Sequence, residues 1–174
     1  MVFLLTGALV VVLDVLTKRL VATTFHPHEV RQVVGDYIRL TYIHNPGAAF
    51  GLFPGSRWPL IAISIAAVIV VAYVAWNRRH NWSAILPLGL ILGGAVGNLI
   101  DRVRMGEVVD FVQVGIPPNY WPVFNVADSA VSVGVVWLAL GMMRSGRQEV
   151  PEDGSAVTAK EDPVAGVAPS GDST

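Results

Sequence analysis

The chain has 174 residues, of which 53% are hydrophobic and only 14% charged, with mean hydropathy +0.55. A soluble domain of this length carries about 25% charged residues, so long uncharged stretches are expected and a membrane protein is indicated. The net charge of −1 leaves no basic surface for nucleic acid, and the absence of cysteine excludes a disulfide scaffold, a thiolate metal site, a cysteine nucleophile and lipidation of this chain on cysteine.

A hydrocarbon core of about 30 Å needs about 20 apolar helical residues. The first candidate span, residues 2–21, is interrupted in its second half by Asp14, Lys18 and Arg19. It lacks a basic leader and a persuasive small-residue cleavage site, so it reads as a retained span rather than a secretory signal, with a start further upstream also open. Residues 29–43 partly alternate apolar and polar around Gly35-Asp36, as in a hairpin. Residues 58–76 form an uncharged run with a tryptophan at each end. Residues 84–100 form another, with Gly89, Gly93 and Gly97 at four-residue spacing, a surface for close helix packing rather than a phosphate loop. Val108 to Val112 is a short extended run, followed by a loop with Pro117, Pro118, Tyr120, Trp121 and Pro122 that suits a rigid interfacial element. The last span, 126–143, carries only Asp128. The domain expectation is thus a four-span unit over 1–144 and a disordered tail over 145–174, rich in Gly, Pro, Ser, Ala and acid.

Four spans put both termini on one side. Arg78 and Arg79 between the middle spans, and Arg144 and Arg147 after the last, make that side cytoplasmic by the positive-inside rule. The full count supports this weakly: five Lys/Arg fall inside (the fifth is Lys160) and seven outside, namely Lys18, Arg19, Arg31, Arg39, Arg57, Arg102 and Arg104.

An ionisable residue near the bilayer centre costs about 2.5–3.5 kcal/mol, so polar residues in or beside spans need a reason. Asp14, Thr17 and Lys18, then Asn98, Asp101 and Arg102, then Asn125 and Asp128 all fall at the same outer level. Asp110 lies on the segment joining the last two helix ends and can fold back to meet Asp128. Two carboxylates about 4 Å apart repel by roughly 4 kcal/mol at an effective dielectric near 20, so they hold one proton between them. One can then deprotonate a water while the other protonates a peptide carbonyl oxygen. Asn45, Asn98, Arg102 and Asn125 are placed to hold the substrate backbone or the developing oxyanion.

Plainer roles stay open. Asp128 can simply complement a helix dipole and Asp110 can be a loop acid. Asp101 and Arg102 read as structural ion pairs, and Asp14 as an interhelical anchor. The four histidines have no metal-ligand spacing supported by acids, so no metal is expected. A serine–lysine dyad would have to use Lys18, with Ser129 approaching in space. A small proton-coupled transporter subunit and a non-catalytic assembly protein are the competing function classes; transport would favour acids near the midplane of several helices.

Taken together, Asp14-Val-Leu-Thr17-Lys18, Asn45-Pro-Gly-Ala-Ala-Phe50, Gly93 to Arg102, Val108-Val-Asp110-Phe111 and Phe124-Asn-Val-Ala-Asp128-Ser129 resemble, in order, the motifs of the lipoprotein signal peptidase (signal peptidase II) family. The likeness covers roughly 2–143. It implies a membrane all-α bundle of four transmembrane helices, a small extracytoplasmic β element and a short interfacial helical segment, which would fit residues 29–43 and 112–121. It further implies Asp110 and Asp128 as the catalytic pair, supported by Asp14, Asn45, Asn98, Arg102 and Asn125, with no cofactor. The implied substrates are diacylglyceryl-modified prolipoproteins, cut before the lipidated cysteine at the outer face of a bacterial cytoplasmic membrane. Membrane lipid is the other expected partner, and nothing requires more than one chain.

Overall fold

Four long helices form where the apolar runs predict them, α2 and α3 running past both expected ends and α1 and α4 past the C-terminal end only: α1 (Val2–Thr24), α2 (Arg57–Asn77), α3 (Trp82–Arg104) and α4 (Val126–Gly146). The structure is a computed structural model and describes residues 1–47, 57–79 and 81–146. At 1.5 Å per residue each helix is about 30 Å or more in length. α2, α3 and α4 are long and apolar enough to cross a membrane. α1 has the length, but Asp14, Lys18 and Arg19 break its apolar run. Large apolar side chains such as Ile69, Tyr73 and Trp76 on α2 and Val136 and Leu140 on α4 face outward. Such a surface is tolerated in lipid and not in water.

α3 is the central helix and packs on the other three. The glycines make this possible. A Cβ at Gly93 would lie 2.6 Å from the Gly7 carbonyl oxygen of α1, and one at Gly89 would lie 2.8 Å from that of Phe3. Gly97 sits against Asp14, where a Cβ would come within 2.7 Å of the carboxylate. The ridge anticipated from the spacing is thus the α1–α3 seam. A second approach, through Gly94 to Ala127 and Val131 of α4, lay outside that pattern. Close backbone approach replaces hydrophobic driving force between helices in lipid.

A small antiparallel sheet stands at one end of the bundle, in the order β1-β2-β3-β4: β1 (Val30–Val34), β2 (Ile38–Asn45), β3 (Val108–Ile116) and β4 (Asn119–Tyr120). β1 and β2 form the expected hairpin, with Gly35 at φ +49° in the turn. β2 pairs with β3 in a register that sets Ile43 opposite Asp110 and Asn45 opposite Val108, after an irregularity between Leu40 and Ile43.

The expected interfacial helix over 112–121 is not there: those residues continue β3 and return as β4. The reason is readable afterwards. Val112, Val114 and Ile116 repeat every second residue and are β-branched, a strand pattern. Gly115 lets the β4 backbone fold against β3, since a Cβ there would lie 2.6 Å from the Tyr120 Cα. Among the described residues, no helix lies outside the four long ones. Of the expected tail, Ser145 and Gly146 end α4, and 147–174 lie outside the described residues.

Candidate active site

The N-terminus of α4 organises the site. Asn125 precedes its first residue and accepts the Asp128 backbone N–H at 2.9 Å through Oδ1, while Asp128 Oδ2 accepts the Asn125 backbone N–H at 3.2 Å. This reciprocal cap follows from the three-residue spacing of Asn125 and Asp128 and satisfies orphan donors of the first turn. A third donor, the Ala127 N–H, is taken at 2.9 Å by Asp14 Oδ1 from α1. One helix therefore caps another.

β3 brings the second carboxylate. Phe124 exchanges backbone hydrogen bonds with Val112, 2.8 Å one way and 2.9 Å the other, which ties the chain entering α4 to β3. Asp110 lies two residues from that tie. Its Oδ1 accepts Asn125 Nδ2 at 2.7 Å, and its Oδ2 accepts Asn45 Nδ2 at 2.9 Å from β2. Asn45 reaches it diagonally across the β2–β3 pair. Asn125 is fully buried and Asp110 is 2% exposed. Burial, joined by the charge of Asp128, pushes the Asp110 carboxyl up from 3.8 to about 7, against the opposing hydrogen bonds from Asn45 and Asn125.

Asn98 of α3 completes the link between the two acids and the cation behind them. Its Nδ2 donates to Asp128 Oδ1 at 2.7 Å, and its Oδ1 accepts Lys18 Nζ at 3.1 Å. Lys18, 4% exposed, also contacts Asp14 Oδ2 at 2.7 Å and Asp101 Oδ2 at 2.8 Å. The ammonium thus meets one amide oxygen and two carboxylate oxygens, and is paired on every side. Each amide in the chain points its NH2 at a carboxylate and its oxygen at a cation or an N–H, so the network is electrostatically consistent.

Asp110, Asp128, Asn45, Asn98 and Arg102 all line one cleft of about 520 Å³, whose remaining wall includes Phe124, Val131 and Val133. Asn125 lies beneath it. Asp14 does not reach the cleft: it is fully buried behind it, an anchor between α1 and α4. Arg102 makes no carboxylate ion pair among the described residues; its Nη2 donates to the Gly47 carbonyl at 3.3 Å while it lies in the field of Asp128 and Asp110. The ion pair expected of Asp101 is made with Lys18. Lys18 is the residue that sequence reasoning left out of the site, although its position four after Asp14 was a signal for a helical ion pair. A serine–lysine dyad is excluded by geometry, because Lys18 is fully engaged and Ser129 Oγ donates to the Asn125 carbonyl at 2.9 Å. Of the outer-loop motif, Asn45 to Gly47 are placed, with Asn45 Oδ1 accepting the Gly47 N–H at 3.0 Å; residues 48–50 lie outside the described residues.

Residues 6–144 match the family described as signal peptidase (SPase) II. A lipoprotein signal peptidase of Syntrophus aciditrophicus is 42% identical over 155 residues, covering 84% of this chain and 95% of that protein. Another, of Moorella thermoacetica, is 44% identical over 139 residues, covering 79% and 90%. A bacterial membrane enzyme solved by the in meso method at 2.3 Å resolution superposes with a TM-score of 0.79 at 31% identity, over 84% of this chain and 90% of that one. A second such structure, at 1.9 Å, gives 0.74 at 32% identity, over 82% and 92%. By sequence and by fold, then, the chain belongs to the signal peptidase II family of membrane proteases.

Proposed function

We propose that this protein is an aspartic endopeptidase that removes signal peptides from diacylglyceryl-modified prolipoproteins, cutting before the lipidated cysteine. The observation that carries the reading is the convergence of Asp110 and Asp128 on one cleft, joined through Asn125, with Asp110 poised to hold a proton near neutral pH. Asp128 is the base. A water in the cleft gives it a proton as the water oxygen attacks the scissile carbonyl carbon, and Asp110 hands its own proton to the carbonyl oxygen. The tetrahedral diol then breaks at its C–N bond. The leaving nitrogen takes the proton from Asp128, and one diol hydroxyl returns a proton to Asp110. Arg102 faces the same cleft and stabilises negative charge on the substrate carbonyl.

The topology belongs to the same reading. α1 is the fourth span, with Asp14 and Lys18 paired inside the bundle and Arg19 exposed nearer its outer end. The Arg78-Arg79 turn and Arg144 stand at the end of the bundle away from the dyad, which supports cytoplasmic termini, an extracytoplasmic site and residues 147–174 as a cytoplasmic tail. The clustering of acids at one end, not through the midplane, counts against the transporter reading.

The test is cleavage of a purified precursor in lipidated and unlipidated form. A substrate held by its own acyl chains arrives at a fixed depth, so positioning is supplied by the membrane. Lipidated precursor should yield a product beginning at the modified cysteine, and the unlipidated form should turn over poorly. Equal rates for both would count against the substrate assignment.

A pH profile gives an independent check. Loss of the proton centred on Asp110 should make kcat/KM fall as pH rises through about 7, an apparent value belonging to the pair. Asn45 favours the ionised form of Asp110, so Asn45→Ala should move that falling limb upward, by about one unit if the bond is worth about 1.5 kcal/mol. A limb that stays in place would remove Asp110 from the role of acid.

A further inference from the structure

Seven Lys and Arg stand at the dyad end of the bundle in the four-span reading, and the side chains of five of them have partners. Lys18 is held by Asp14 and Asp101; Arg31 by Glu29; Arg39 by Gln113 and the Tyr120 ring; Arg57 by the Val103 carbonyl; Arg102 by the Gly47 carbonyl. The guanidinium groups of Arg19 and Arg104 belong to exposed residues and make no hydrogen bond or ion pair among the described residues. Both arginines line one cleft of about 170 Å³ between α1 and α3, together with Val15, Ala22, Tyr42 and Met105. The buried Lys18–Asp101 pair forms part of its wall, and it shares no lining residue with the dyad cleft.

We propose that this cleft binds the phosphate of an anionic phospholipid, with Arg19 and Arg104 as its clamp. Two guanidinium groups without carboxylates offer forked donors suited to phosphate oxygens. The apolar lining argues for a lipid rather than a soluble anion. Val15 lines the cleft one turn deeper than Arg19, and Val12 and Leu16 beside it are exposed, so acyl chains continue along α1 into the hydrocarbon. Tyr42 stands at the headgroup level, where aromatic side chains settle. The bound phosphate, a monoanion, also offsets one of the two positive charges that otherwise run against the positive-inside bias.

Native mass spectrometry of the full-length protein tests this, with phosphatidylglycerol, phosphatidylcholine of the same acyl chains, and inorganic phosphate as probes. Phosphatidylglycerol should be retained roughly thirtyfold more than phosphatidylcholine, given about one kcal/mol for each of the two basic residues at an anionic surface. Arg19→Gln/Arg104→Gln should reduce retention to the phosphatidylcholine level. Arg31→Gln, at an exposed arginine already paired with Glu29, should leave it unchanged. Equal retention of the two lipids, an undiminished signal in the double variant, an Arg31→Gln loss as large as that of the double variant, or displacement of the lipid by inorganic phosphate would each overturn the proposal. Circular dichroism of the variants separates loss of the clamp from loss of the fold: the proposal requires native helicity in a double variant that no longer retains the lipid.

Discussion

Replacing either Asp110 or Asp128 with Asn is expected to lower cleavage of a lipidated precursor by about 10⁴-fold or more while leaving a folded, membrane-inserted protein. In the proposed mechanism each carboxylate does half of a coupled proton transfer, so removing one should idle the other, and the two single variants should be nearly as inactive as the double. In Asp128→Asn the new side chain keeps an oxygen able to accept the Asn125 N–H and cap locally, so the helix start should survive. Comparable turnover by wild type and either variant, assayed on purified protein, would end the aspartic reading.

The same substitution at Asp110 carries a second signature, in stability. The folded-state pKa of about 7 lies above the ordinary 3.8, so the folded protein binds the proton more tightly than the unfolded chain. Below pH 4 both states are protonated and the group contributes no penalty. As pH rises from about 4 to 7 the unfolded chain ionises first, and stability falls until the folded carboxyl also ionises. About three units at 1.36 kcal/mol each amount to roughly 4 kcal/mol sacrificed at pH 8. Asp110→Asn removes that dependence. Its stability relative to wild type should therefore grow by about that amount between pH 4 and pH 8, whatever constant offset the lost hydrogen bond imposes. Unfolding in detergent measured at both pH values checks this, and parallel curves would contradict it. A site that is costly when unused and inert when neutralised is typical of strained functional groups.

Much of this site was legible because its parts are local in sequence. The Asn125–Asp128 spacing is a helix-start pattern, and the structure uses it as a reciprocal cap. Gly89, Gly93 and Gly97 declared a seam because only a close neighbour justifies three glycines on one helix face. The β1–β2 hairpin was marked by alternation and a glycine turn. What failed was non-local. Asp101 and Arg102 were both read as ion-pair residues; Asp101 is one, but with Lys18 of another helix, whereas Arg102 meets the Gly47 carbonyl and no carboxylate among the described residues. Asp14 is the interhelical anchor expected of it, although its partner, the Ala127 backbone N–H, has no side-chain signal. The 112–121 segment was read through its prolines and aromatics, while its valine alternation carried the stronger signal and produced a strand.

Lys18 is where the largest structural effect is expected. Its ammonium bonds Asp14, Asp101 and Asn98, and two of those partners lead directly to the dyad: Asp14 caps α4 beside Asp128, and Asn98 donates to Asp128. Lys18→Met preserves much of the side-chain volume but leaves two buried carboxylates facing each other without a cation. Breaking a buried pair in this way costs about 3–5 kcal/mol, because the orphaned charge has no water to return to. We expect a loss of that size in unfolding assays, and reduced kcat even in the fraction that remains folded, since the start of α4 is no longer held. Adding Asp14→Asn should recover part of the stability, because the amide oxygen still caps Ala127 while one of the two stranded charges is gone. If the cost instead came from lost packing around the lysine stem, the second substitution would make matters worse. The sign of the double-variant coupling therefore decides whether the bundle and its acid pair are held together by charge or by shape.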